Sequence, residues 1–291
     1  MYHFTFVKVK LIYVFKKIRM SKVVLITGAS SGMGKSTANI LNGQGYIVYG
    51  AARRVEEMQD LKSQGIHIVP LDLTKDDSIV SYVNTIIDKE GRIDILINNA
   101  GYGSYGTVED VSIAEAKRQF EVNIFGLARI TQLILPKMRE HKYGRIVNIS
   151  SMGGKVYLPL GAWYFATKHA LEGWSDCLRL EVKPFGIDVV IVEPGGIKTP
   201  WGLIAAESLR ETSGKGAYAA FANSVADTMK KDFTNDRFTD VNVLGKTIAK
   251  AATVKNPKIR YVKGYSAKLA ITLRKWFGDR IFDKVIMSQY K

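Results

Sequence analysis

Val23-Val24-Leu25-Ile26-Thr27-Gly28-Ala29-Ser30-Ser31-Gly32-Met33-Gly34 is the stretch on which the reading of this chain turns. An apolar, largely β-branched run of strand length passes into a turn with three glycines, and a helical pattern follows over residues 33–43. Glycines let the backbone approach a pyrophosphate closely, and the start of the next helix offers unpaired N–H groups and a positive dipole end. Strand, glycine turn and helix in that order point to a dinucleotide, with Gly28, Ser30, Ser31, Gly32, Met33 and Gly34 around its phosphates. Gly34-Lys35-Ser36 also resembles the end of a P-loop. That motif needs four residues between its glycines, however, and Gly28 and Gly34 have five between them. Lys35 is therefore expected to be exposed in the first helical turn.

Beyond this stretch, short β-branched runs alternate with longer amphipathic ones. Strands are expected at 23–27, 47–51, 66–70, 93–98, 144–149, 188–193 and, more weakly, 258–262, with helices near 33–43, 55–63, 76–89, 113–139 and 162–182. This alternation is the pattern of βαβ units, and it predicts a single α/β domain with a doubly wound sheet of seven parallel strands. No linker, low-complexity segment or internal repeat interrupts it. The end of the second strand bears on the cofactor. An NAD site places an acid about 20 residues beyond the glycines, whereas Ala52 stands near that place here, followed by Arg53 and Arg54. An acid would repel a 2′-phosphate and a guanidinium would bind it, so NADP(H) is the expected cofactor. Asp72 and Leu73, after the third strand, are placed to meet the adenine, although an Asp opening a helix is also an ordinary N-cap.

Further motifs follow in order: Asn98-Asn99-Ala100-Gly101, Asn123, Ser151, Tyr164-x3-Lys168 and Pro194-Gly195. Together with the glycine turn and Asp72 they make residues 21–265 resemble the short-chain dehydrogenase/reductase family, and most of all its 17-beta-hydroxysteroid and retinol dehydrogenase-like branch. The resemblance implies one Rossmann-type domain with seven parallel strands, in agreement with the independent count. Tyr164 and Lys168, four apart in a helical stretch, share a helix face. An ammonium beside the phenol is expected to lower its pKa, so that Tyr164 exchanges a proton with the substrate oxygen. Ser151, with Ser150 as the neighbouring alternative, is expected to orient that oxygen. By resemblance, Lys168 also holds the nicotinamide ribose, and Asn123 holds a water linking the lysine to solvent. Asn99, Ala100 and Gly101 would line the cofactor trough, and Pro194, Gly195, Ile197 and Thr199 would meet the carboxamide. His169 reads as structural. No metal is called for. The implied activity is interconversion of an alcohol and a carbonyl compound; a cofactor-sensing or scaffold protein of the same fold is the alternative.

Residues 199–235 carry Trp201, Leu203, Ile204, Tyr218, Phe221 and Phe233, which read equally as a lid over a hydrophobic substrate and as ordinary core. Tyr102, Tyr105, Met152, Leu158 and Trp163 are candidate apolar walls. The net charge of +15 concentrates at the ends, +6 over residues 1–22 and +10 over 246–291, leaving the middle at −1. A near-neutral centre argues against a polyanionic substrate such as nucleic acid. Residues 1–20 are apolar and basic, but their longest apolar run, Leu11–Phe15, is too short for a membrane span. They are an ordered extension, a leader before a true start at Met20, or an interfacial anchor. Residues 266–291 read as two amphipathic helices broken at Gly278, with Asp279 as the second N-cap; they could close the cleft, pack between subunits or lie on a membrane. One cysteine, Cys177, requires no oxidising compartment, so a cytoplasmic location is expected. By resemblance the chain is a homodimer or homotetramer.

Overall fold

A computed structural model describes residues 21–234 and 237–290, so the extension 1–20 lies outside the described residues. The strands are β1 (Val23–Thr27), β2 (Ile47–Ala52), β3 (His67–Pro70), β4 (Ile95–Asn98), β5 (Gly144–Ile149), β6 (Ile187–Pro194) and β7 (Arg260–Lys263). They form one sheet in the order β3-β2-β1-β4-β5-β6-β7, and every neighbouring pair is parallel. Strand ends differ from the expected ones by one or two residues, the usual ambiguity where a ladder frays. All five residues of β1 are buried because both faces of the sheet are covered, which is why the strand reads as a continuous apolar run. Val24 and Ile26 enter one core layer and Val23 and Leu25 the other. Chain order reverses between β1 and β4, opening a crevice at their carboxyl ends, the place where such sheets bind ligands.

The helices covering the sheet are α1 (Gly32–Gly43), the short α2 (Gln59–Ser63), α3 (Asp76–Glu90), α4 (Ile113–Phe120), α5 (Gly126–Glu140), α6 (Ala162–Val182), α7 (Trp201–Ser213), α8 (Ala219–Thr234), α9 (Val241–Thr253) and α10 (Ala267–Met287). The stretch expected as one helix over 113–139 is broken by a π-helical turn, Glu121–Phe125. Just after it, a side chain at Gly126 would begin 2.4 Å from the Leu73 carbonyl oxygen, so only glycine lets α5 lie this close to the loop after β3. The excursion after Thr199 is a helical hairpin. α7 and α8 bury Ala205, Leu209, Ala222 and Val225 against each other, so most of its apolar content serves as local core. In α10, Gly278 adopts φ 73° and ψ 178° and kinks the helix. Asp279 pairs with Arg274 at 3.3 Å. Phe282 and Ile286 seal the inner face of α10 against Val156.

Candidate active site

The glycine turn is shaped by backbone constraint. Gly28 (φ 69°) and Gly32 (φ 56°) occupy the left-handed region, which a side chain would strain. A Cβ at Gly34 would lie 2.3 Å from the Gly28 carbonyl oxygen, so α1 can start this close to the turn only with glycine there. Ser31 precedes α1 in extended conformation without a side-chain cap, leaving the first N–H groups directed at the crevice. Met33 packs into the core, so only its backbone faces the turn. Lys35 pairs with Asp60 at 2.9 Å.

The other trough residues tie the strand ends together. Asn99 donates its side-chain amide to the carbonyls of Thr27 and Gly28, each at 3.0 Å, and the Ala100 N–H reaches the Thr27 hydroxyl at 3.0 Å. Across the crevice, a Cβ at Gly32 would approach Thr199 Cγ2 at 3.6 Å, which brings the Pro194–Thr199 loop over the turn. Gly196 and Ile197 anchor that loop by bridges to Tyr265 and Thr239. Arg53 is exposed and makes no ion pair among the described residues, whereas Arg54 is bound to Glu57 at 2.9 Å. Asp72 accepts from the Thr74 amide and hydroxyl. Burial opposes its ionisation, but these bonds and the charges of Lys75 and Arg53 hold its pKa below the usual value. Leu73 is buried beside it.

Tyr164 and Lys168 lie one turn apart on α6, and the Lys168 ammonium sits 5.9 Å from the Tyr164 ring centre. Its hydrogen bond runs to the Ile149 carbonyl at the end of β5, 2.9 Å away. Burial lowers the Lys168 pKa to about 8 against the upward pull of Glu172. The phenol of Tyr164 departs from expectation: burial raises its pKa, and the group that lowers it is the Ser151 hydroxyl. Ser151 Oγ accepts from the Gly153 N–H at 3.0 Å, so its proton remains free to donate. Ser150 is buried, and a Cβ at Gly154 would lie 2.8 Å from its Oγ, which places that hydroxyl beside the Gly154 turn.

Asn123 occupies the π-helical turn, a local irregularity frequent at functional sites. Its Oδ1 accepts from the Tyr102 N–H, and its Nδ2 donates to the Tyr102 carbonyl and the Thr167 hydroxyl. It therefore clamps the loop after β4 to α6. A Cβ at Gly101 would meet Asn123 Oδ1 at 3.1 Å and Lys168 Nζ at 3.8 Å, so both side chains converge on this glycine.

Of the expected walls, Tyr105 stands with Trp201 beside the Tyr164 ring, at centre distances of 6.0 Å and 5.3 Å. Trp163 meets Phe120 edge-on and so packs toward α4. Met152 and Leu158 pack toward α10, and the Tyr102 hydroxyl donates to Glu115. Phe221 packs on Tyr290, Tyr218 donates to Glu109, and Leu203 and Ile204 are exposed. His169 Nδ1 lies 2.9 Å from the Phe165 carbonyl, a structural contact.

Residue-by-residue reading missed a buried ionic cluster behind Lys168. Arg260 of β7 binds Glu172 at 3.0 Å, Asp176 at 2.6 Å and Glu193 at 3.2 Å, and Lys155 also binds Glu172. Burial and the charge of Glu172 raise the Glu193 pKa to about 7. Glu172 follows Lys168 by one helical turn, which was a usable signal; nothing local announces Arg260.

A family model described as short chain dehydrogenase matches residues 22–207. A 3-ketodihydrosphingosine reductase from Bacteroides thetaiotaomicron is 35% identical, over 92% of this chain and 98% of its own. An uncharacterized oxidoreductase from Bacillus subtilis is 34% identical with the same coverage. The crystal structure of a short-chain dehydrogenase from Streptomyces avermitilis superposes with a TM-score of 0.74 at 32% identity, covering 89% of this chain and 97% of that one.

Proposed function

This chain belongs to the short-chain dehydrogenase family of oxidoreductases, and from that premise we propose that it interconverts a lipophilic ketone and secondary alcohol, or an aldehyde and primary alcohol, with NADP(H). The observation that carries the reading is the meeting of Tyr164, Lys168 and Ser151 at the carboxyl end of β5, in the same crevice as the glycine turn.

The crevice suits the cofactor. The cradle leaves no room for a side chain at Gly28 or Gly34, and the uncapped start of α1 presents N–H groups to a pyrophosphate. Arg53, exposed at the end of β2 with no ion pair among the described residues, is the group for a 2′-phosphate. Held by the glycine turn, Arg53 and Lys168, a reduced nicotinamide cofactor would be the source of the hydride for a carbonyl carbon. Ser151, whose hydroxyl lowers the Tyr164 pKa in this structure, would turn its proton to the carbonyl oxygen of a bound substrate, and Tyr164 would deliver the proton that completes the alcohol. Lys168, its pKa lowered by burial to about 8, is the donor for the ribose. Asn123 fixes Tyr102 and Gly101 so that the floor of the trough stays against Lys168.

Tyr105 and Trp201 make the substrate side of Tyr164 aromatic, which favours an apolar ketone. The Bacteroides relative, named for 3-ketodihydrosphingosine, makes that compound the first ketone to assay. NADPH oxidation in the presence of a ketone panel is the test. Tyr164→Phe is expected to lower kcat by about 10²–10⁴-fold with the fold intact, and Arg53→Ala to weaken NADPH binding while sparing NADH. Cofactor binding without turnover of any carbonyl or alcohol would move the reading to a sensor, and a native preference for NADH would remove Arg53 from it.

A further inference from the structure

Helix α10 presents two unlike faces. Its inner face is consumed by the protein: Ala267, Phe282 and Ile286 are buried, and the Arg274 guanidinium covers Tyr157 and donates to the Lys155 carbonyl at 2.7 Å. Its outer face carries Leu269, Trp276 and Phe277 at 72%, 74% and 56% exposure. A tryptophan this bare on a helix is uncommon, because burying a large aromatic ring is among the most favourable contacts available. Leu269 and Trp276, seven residues apart, fall on one stripe, and Lys268 and Lys275 repeat at the same interval along its edge. Beyond the Gly278 kink, Arg280 and Lys284 continue the exposed basic surface. The two acids of the helix offset it only in part: Asp279 pairs with Arg274, and Asp283 keeps its charge while accepting from the Tyr157 hydroxyl at 2.8 Å, so Lys268, Arg274, Lys275, Arg280 and Lys284 leave the helix net basic.

We propose that the outer face of α10 docks this enzyme on an anionic lipid surface, with Trp276, Phe277 and Leu269 entering the headgroup region and Lys268, Lys275, Arg280 and Lys284 meeting lipid phosphates. The combination is that of an interfacial helix, apolar and aromatic residues beside lysines and arginines. None of the described helices is long and apolar enough to cross a membrane, so the contact is peripheral. Charge complementarity favours this occupant over a second copy of the chain. Across a symmetric contact made by this face, one net basic surface would meet an identical net basic surface of the partner.

Docking has a structural consequence for the active site. The inner face of α10 packs on Met152, Tyr157 and Leu158, in the loop that begins at Ser151. The lipid surface therefore lies one helix thickness from the substrate side of the crevice, where an apolar ketone would arrive from the bilayer.

Flotation of the full-length protein with vesicles tests this. Vesicles of phosphatidylcholine with phosphatidylglycerol should bind at least about tenfold more protein than phosphatidylcholine alone, since each basic group near such a surface contributes roughly fivefold. The double variant W276S/F277S and the triple variant K275E/R280E/K284E should each lose about tenfold or more of that binding, with far-UV circular dichroism unchanged. Both substitute exposed positions, so if one fails to fold the other still decides. No preference for anionic vesicles overturns the proposal. So does wild-type affinity in both variants, which would move docking elsewhere on the chain, including its basic residues 1–20. Sedimentation that shows W276S/F277S dissociating a self-associated species that ignores vesicles would assign the face to a second copy. Ketone turnover is scored separately, and its presence or absence leaves the docking result unaffected.

Discussion

Tyr164, the proposed proton donor, shows how strongly an ionisable group depends on its immediate surroundings. Residue type and spacing suggested a phenol tuned by the lysine four residues on, yet burial raises its pKa and Ser151 is what lowers it. A hydroxyl that stabilises the phenolate makes deprotonation easier, and its removal makes it harder. Ser151→Ala is therefore expected to shift the pH profile of alcohol oxidation to higher pH and to reduce kcat by about 10²-fold. An unshifted profile would mean that Ser151 acts on the substrate alone. Ser150 could not be separated from Ser151 by sequence, because one residue at a strand end changes the direction of the side chain without changing the local pattern.

Among the elements, α1 contains a matched pair of glycines. Gly34 faces the Gly28 carbonyl so closely that any Cβ must displace backbone, whereas a Cβ at Gly43, at the far end of the same helix, meets no atom within 4 Å. Gly34→Ala is expected to weaken NADPH binding by at least about tenfold, as the turn moves off the helix start. Gly43→Ala should leave binding intact and stabilise the protein by about 0.5–1 kcal/mol. Fluorescence titration and urea denaturation of the two variants give the comparison, and equal effects on binding would contradict the cradle described for the cofactor. The π-helical turn at Asn123 illustrates the opposite situation. Glu121–Phe125 has no distinguishing composition, and the turn is recognised from the bonds Asn123 makes to Tyr102 and Thr167, which are distant in the chain.

Across the whole molecule, the ionic cluster joins α6, β6 and β7 behind the active site and couples stability to pH. Glu193 has its pKa raised from 4.5 to about 7, so between these values the folded protein binds the proton that the unfolded chain releases. That contribution is complete below pH 4.5 and is lost as pH rises through about 7. Relative to Glu193→Gln, the wild-type protein is expected to lose about 1–3 kcal/mol of unfolding free energy between pH 5 and pH 8. Urea denaturation across that range measures it; parallel curves for the two proteins would show that Glu193 is ionised throughout.

The parallel sheet, the cofactor turn and the Tyr164–Lys168 pair were legible from residue order because their causes are local. Strand runs follow from burial on both faces, the glycines from positive φ and close approach, and the shared helix face of Tyr164 and Lys168 from their four-residue spacing. Other features depend on segments far apart in the chain: Trp201 against Tyr164, the Asn123 clamp, Arg260 among three carboxylates, Trp163 against Phe120, and the bare outer face of α10. Each of these depends on which surfaces meet when helices pack on the sheet, and short-range periodicity carries no information about that choice.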